Sequence, residues 1–411
     1  MSRKGKYLSI LLFLLLCLSP ADSSPVQAHP QTLIQVTTTA DVIDQDGTCS
    51  LREAVQAANT DTQVDSCPAG SGDDTIYLPA GLFSLTLIGP TEDDGLTGDI
   101  DIQSNLTFYG SGIAQTVIDG HDSDRVFHIF SGATVNFHNL TIQGGKTPAG
   151  PTEGRGGGIL NVDGNLSLFR IKIISNEADW TGGGVDNTYG TLTLSEVIIV
   201  DNRAAMGGGV NNSRYMLASR SLITANQATI SGGGIDNNTQ GQASLLNLTL
   251  SGNVVATGGN GGGIYTDRPI QLANVTIVQN SPNGLVDKVS VRMVNTLFSQ
   301  NGAANCAGDR LPDSEGNNLS DDDSCGSSGF INVANALIGD LADNNGPTFT
   351  HLLLPGSPAI DAGNDTSCQH LDQRGAIRPA DGNGDDLAVC DIGALELNAI
   401  FTDIYLPVIL H

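Results

Sequence analysis

Gly182-Gly183-Gly184-Val185-Asp186-Asn187 and Gly207-Gly208-Gly209-Val210-Asn211-Asn212 are two copies of one phrase. The same opening stands at Gly156-Gly157-Gly158-Ile159, Gly232-Gly233-Gly234-Ile235 and Gly261-Gly262-Gly263-Ile264, so successive copies lie 26, 25, 25 and 29 residues apart. A period of this length marks a solenoid, in which one repeat is one coil. The glycine blocks lead into eleven-residue phrases that end in Asn: Leu166–Asn176, Leu192–Asn202, Met216–Asn226, Ala243–Asn253, Ile270–Asn280 and Val291–Asn301. Within each phrase apolar residues alternate at period two on either side of a break, which predicts two short strands joined by a bend.

One such repeat cannot bury its own apolar face, whereas stacked copies bury a continuous core. Parallel stacking places coils about 4.8 Å apart, so equivalent residues lie above one another. Asn176, Asn202, Asn226, Asn253, Asn280 and Asn301 then form a ladder of amides. Asn161, Asn187, Asn212 and Asn237 form a second column, which Thr266 continues. A third runs Asn139, Arg170, Glu196, Arg220, Asn247, Asn274 and Asn295, placed for charge pairing in its Arg–Glu–Arg part and amide pairing in its Asn part. Glycine suits the tight corner between these columns, where positive φ or close backbone approach is needed. The expected fold is all-β, a right-handed parallel β-helix.

The segments around the repeats complete the plan. Arg3, Lys4 and Lys6, the apolar run Leu8 to Leu18 and Val26-Gln27-Ala28 read as an export signal over 1–28. Segment 29–75 is a cap: Ser50-Leu51-Arg52-Glu53 is a capping box that opens a short helix over the end of the first coil. Coils occupy 76–305 and loosen over 306–345; a Pro/Gly-rich module follows at 346–397 and a tail at 398–411. Removing Cys17 with the signal leaves six cysteines in three local pairs, Cys49 with Cys67, Cys306 with Cys325, and Cys368 with Cys390. Fifteen connectivities are formally possible, and a rod that keeps distant segments apart favours these neighbours. No Cys-x-x-Cys supports zinc instead.

With 44 acidic against 18 basic side chains, a net charge of −26 excludes nucleic acid and disfavours an anionic membrane surface. No mature stretch is long and apolar enough for a membrane span. A secreted or cell-surface monomer is expected, with extracellular glycan or protein as partner.

Cys49-Ser50-Leu51-Arg52-Glu53-Ala54-Val55-Gln56-Ala57-Ala58-Asn59 resembles the CSLREA-type N-terminal domain of exported bacterial β-helix proteins. The Gly-Gly-Gly-[Ile/Val] blocks and phrase ends such as Phe298-Ser299-Gln300-Asn301 resemble the repeats of the polymorphic outer-membrane protein family. Pro355-Gly356-Ser357-Pro358-Ala359-Ile360-Asp361-Ala362-Gly363 and Cys390-Asp391-Ile392-Gly393-Ala394 resemble a choice-of-anchor module. These resemblances imply a surface or secreted β-helix with an adhesion, scaffold or glycan-binding role.

The alternative is a polysaccharide lyase or glycoside hydrolase acting in a groove, since such enzymes occur on parallel β-helices. The Arg170-Ile171-Lys172 triplet and Gly120-His121 match fragments of a polygalacturonase signature, but Arg170 belongs to the structural column. The catalytic candidates are Asp186 and Asp236, outward-facing two coils apart, about 9.6 Å by strand spacing. They flank Asn211, and Trp180, Arg155 and Arg203 are placed to line a groove beside them. No other cofactor is implied except calcium: Asp381-Gly382-Asn383-Gly384-Asp385 starts like an EF-hand loop, with oxygen ligands at Asp381, Asn383 and Asp385. It departs from that loop at Asp386, where Gly is usual, and at Ile392, where Glu is usual.

Overall fold

The structure, a computed structural model, describes residues 31–89, 92–289 and 291–401. The export signal with Cys17, and the tail beyond 401, lie outside the described residues. The chain winds as a right-handed parallel β-helix in which neighbouring coils pair in register. Asn165–Ile174 pairs with Thr134–Gln143 on one side, and with Thr191–Ser195 and Ile198–Val200 on the other. The phrase strands build an 18-stranded sheet, and the strands after the glycine blocks build a nine-stranded one. A three-stranded patch, Arg203–Met206, Gln227–Ser231 and Val254–Val255, closes the third side of the middle coils. The interior is a stacked apolar column: Ile173, Ile199, Ile223, Leu250, Ile277 and Phe298 are fully buried, one per coil.

The break inside each phrase is a residue with left-handed backbone. Asn139, Arg170, Glu196, Arg220, Asn247, Asn274 and Asn295 all have φ between 49° and 57°. Asn tolerates this region, while Arg and Glu adopt it at a cost. In the charged part the cost is offset by ion pairs: Glu196 accepts from Arg170 Nε at 2.7 Å and from Arg220. The amide part differs from the expectation of Asn–Asn pairing. Asn247 donates to the Leu371 carbonyl at 2.7 Å and Asn295 to that of Asn364 at 3.2 Å, while Asn274 contacts Cys390 Sγ at 3.6 Å. The 346–397 module lies along this face, and its groups reach the amides before neighbouring coils do. Its own small core joins Leu353, Ala359, Ile392 and Leu395 to Val278, Leu297 and Leu319 of the coils.

The ladder from Asn176 to Asn301 is continuous. Each Oδ1 accepts both the backbone N–H and the side-chain amide of the preceding Asn, for example Asn226 Oδ1 from Asn202 at 3.0 Å twice. The Gly145 N–H starts the row on Asn176, and Asn301 ends it on Asn305. The opening glycines of the five blocks have φ of 62° to 70°. A Cβ on Gly183 would run into the carbonyl oxygens of Arg203 and Gly208, so no larger residue fits the corner.

The helix Leu51–Thr60 covers the end of the rod, with both bonds of the Ser50–Glu53 capping box formed. The first rung is Leu33–Gln35 on Asp74–Tyr77, so the sheet begins before the helix. Disulfides join Cys49 to Cys67, Cys306 to Cys325 and Cys368 to Cys390. Among the described residues no helix is long and apolar enough to cross a membrane.

Candidate functional site

In the seven strands of the nine-stranded sheet from Ile100–Ile102 to Ile264–Thr266 the first residue points inward and the second outward. The outward row, read down the rod, is Asp101, His128, Leu160, Asp186, Asn211, Asp236 and Tyr265. Unlike the inward columns, it changes character at every coil.

Asp186 and Asp236 are both in this row and are linked through amides. Asn211 Nδ2 donates to Asp186 at 3.1 Å, and Asn238 Nδ2 donates to Asn211 Oδ1 at 2.9 Å and to Asp236 Oδ1 at 2.6 Å. Asp186 also accepts from Thr181 and Thr188 and is fully buried. Burial raises its carboxyl above the usual range. With its oxygens spent on these partners, Asp186 holds the floor of the sheet together. Asp236 instead borders a cleft of about 630 Å³. Its Oδ2 accepts the Ser231 hydroxyl, and burial pushes its carboxyl up to about 6.

Trp180 and Tyr189, 37% and 52% exposed, stand at the cleft with Tyr265. Arg155, Asp267 and Arg268 add two positive charges and one negative. Of the groove residues expected from sequence, Trp180 and Arg155 line the cleft; Arg203 is exposed outside it. Asp267 and the Ser231 hydroxyl were not singled out from sequence. The available signal was Tyr265-Thr266-Asp267-Arg268, where the Asp/Asn-Asn pattern of the earlier copies breaks.

At the upper end of the row lies a second polar group. His128 Nδ1 is 3.5 Å from Asp101 Oδ1 and 3.8 Å from Asp93 Oδ1, and the three ligand atoms all lie within 4.8 Å of one another. This set can hold a metal ion. Burial pushes Asp101 up to about 7 and His128 down to about 4, leaving the imidazole neutral at pH 7. Neighbouring Asp99 is ion-paired with Arg125. The sequence reading missed the group, because Asp93 comes from an insertion that no other coil shares.

The Asp381–Asp385 turn is exposed on the C-terminal module. Asp381 accepts the Gly384 and Asp386 N–H groups at 2.6 and 2.9 Å, which holds its carboxyl below the usual range. Asp385 accepts from Leu387 N, and the Asn383 N–H donates to Asp361.

No family model and no curated protein matches the sequence. Among solved structures, that of the pectate lyase Pel9A aligns over 90% of this chain and 96% of its own, with 12% identity and a TM-score of 0.54. A pectin methylesterase from Aspergillus niger aligns over 64% of this chain and 82% of its own, with 14% identity and a TM-score of 0.30. At such identities the likeness is one of fold, and the chain has the parallel β-helix fold seen in a pectate lyase.

Proposed function

We propose that this is an exported β-helix protein that binds a polysaccharide across its coils and hydrolyses it in the cleft at Asp236. The observation that carries this reading is a carboxyl held near pH 6 in the floor of an aromatic-rimmed cleft. Aromatic faces such as Trp180 and Tyr189 offer sugar rings an apolar platform. A carboxyl that keeps its proton close to neutral pH is suited to general-acid work. The Ser231 hydroxyl, which donates to Asp236 Oδ2 in the resting site, is the relay: with the bond reversed, protonated Asp236 gives its proton to Ser231 Oγ as the Ser231 hydroxyl proton passes to the glycosidic oxygen. Asp267 serves as the base for water: Thr266 pairs with Asn237, so Asp267 sits one coil across and two residues along from Asp236. That offset is about 8 Å between backbone positions, and inverting action requires the two carboxyl groups themselves to stand roughly 6.5–9.5 Å apart.

A net charge of −26 and a cleft in which Arg268 stands 3.9 Å from Asp267 while Arg155 is turned to Thr188 favour a neutral glycan over a polyuronate. Hydrolysis is therefore the preferred reading over elimination. Export is supported by the leader-like N-terminus, by three disulfides and by the likeness of residues 49–59 to CSLREA-type segments of exported proteins. Incubation with a panel of neutral and acidic polysaccharides tests the proposal. Reducing ends without unsaturated products, lost in Asp236→Asn, are expected. Unsaturated ends would make it a lyase; saturable glycan binding with no product would leave an adhesion or scaffold role.

Calcium at Asp381, Asn383 and Asp385 is a separate proposal, and calcium titration that leaves the Tm unchanged would rule it out.

A further inference from the structure

We propose that Asp93, Asp101 and His128 bind one divalent transition-metal ion of the zinc class, which clamps the 92–99 loop onto the outer face of the nine-stranded sheet. Two of the three ligands are fixed by the fold. Asp101 and His128 are register partners on adjacent strands, so neither can move away from the other without breaking the sheet. Asp93 comes down on them from the loop.

The atoms facing one another have nothing else to bind. Asp101 Oδ1 and His128 Nδ1 are both buried and lack a hydrogen-bond partner. The Asp101 side chain is wholly enclosed, and its other oxygen is anchored by the Gly95 N–H at 2.8 Å, which aims Oδ1 at the imidazole. Buried polar atoms are nearly always satisfied, so a facing orphan pair calls for a partner. The separations of 3.5 and 3.8 Å are too long for direct hydrogen bonds. They match the ligand–ligand edge of about 3.4 Å in a tetrahedral site with bonds of about 2.1 Å. Arg125 does not fill the role: it is taken by the Asp99 and Glu153 carboxylates and by the carbonyls of Glu153 and Arg155.

The donor set selects the ion. An imidazole nitrogen with two carboxylates suits zinc-like ions, whereas calcium and magnesium prefer oxygen alone. Asp93 is 74% exposed, which leaves an approach for the ion and room for water as a further ligand. The loop is held from its other side by the cap, because Arg52 donates to the carbonyls of Gly95, Gly98 and Asp99. The metal therefore completes the attachment of cap, loop and sheet at this end of the rod. Buried Leu160 separates the site from the Asp186–Asp236 stretch, so it stands apart from the proposed hydrolysis.

Titrating the chelator-stripped full chain with zinc chloride by calorimetry tests the proposal, with the Tm and proteolysis of the 92–99 loop followed in parallel. One saturable site per chain, a higher Tm and a protected loop are expected. Asp101→Asn, close to isosteric, and His128→Gln should each weaken binding by more than the roughly 10–100-fold that loss of an outer-shell partner costs. Asp236→Asn should bind zinc as the wild type does. Absence of saturable binding, unchanged affinity in His128→Gln, or a preference for calcium over zinc would overturn the assignment.

Discussion

The same coils carry two polar rows that behave in opposite ways. The inward row from Asn176 to Asn301 repeats one residue, and each amide up to Asn280 is satisfied by the Asn of the next coil. The outward row on the nine-stranded sheet changes at each step from Asp101 to Tyr265, meeting an insertion at Asp101 and His128 and a cleft at Asn211, Asp236 and Tyr265. Repetition follows from stacking, since a residue whose best partner is its own copy is confined by the coil above and below. Variation marks positions released from that constraint, and the candidate chemistry lies there.

The contrast is sharpest if the two rows fail differently. Asp236→Asn should lower turnover on the identified polysaccharide by roughly a thousandfold, about 4 kcal/mol of transition-state stabilisation. Chemical unfolding of this variant should show no loss of stability at pH 7. Asn226→Ala should do the reverse. It strands the Asn202 N–H and side-chain amide, and it removes the donor to the Ile199 carbonyl. A loss of about 3 kcal/mol in urea unfolding is expected with kcat unchanged; an equal loss of activity would dissolve the distinction between the rows.

The next largest effect is on pH. Burial raises the folded Asp236 carboxyl from its ordinary 3.8 to about 6. Below about pH 4 both folded and unfolded chains hold the proton, and the group contributes no difference. Between 4 and 6 the unfolded chain ionises first, so stability falls as pH rises, by about 3 kcal/mol once the folded group has also titrated. Asp236→Asn should lack this decline when unfolding at pH 4 and pH 7 is compared, and a wild type equally sloped with the variant would refute the assignment. The smallest expected change is in Trp180→Ala: binding of the glycan weaker by about 1 kcal/mol, with the Tm held, seen by calorimetry. No change in affinity would remove the aromatic platform from the site.

Much of this was legible without coordinates. The glycine blocks, the phrase-ending asparagines and the Ser50–Glu53 cap each depend on neighbours one coil or one turn away, and a repeat prints such neighbours in the sequence. The pairing of Asp186 with Asp236 through Asn211 could also be read from register, because outward positions follow the same period. Which of the two carboxyls meets the cleft could not, since that depends on how Trp180, Tyr189 and Tyr265 pack between coils. The third column divides in the same way. Its Arg170–Glu196–Arg220 part pairs along the rod as its spacing suggests, whereas Asn247, Asn274 and Asn295 turn to a module more than 60 residues further along the chain.

The sequence by itself determined the coil, its corners and the Asn176–Asn301 ladder, because each is a short-range consequence of stacking like on like. Only the tertiary structure decided where the non-repeating residues meet. Asp93 reaches His128 because an insertion folds back over the sheet, and Asp267 reaches the Asp236 cleft because the chain bends after Thr266. Such meetings depend on loop length and packing in three dimensions, and no period in the chain encodes them.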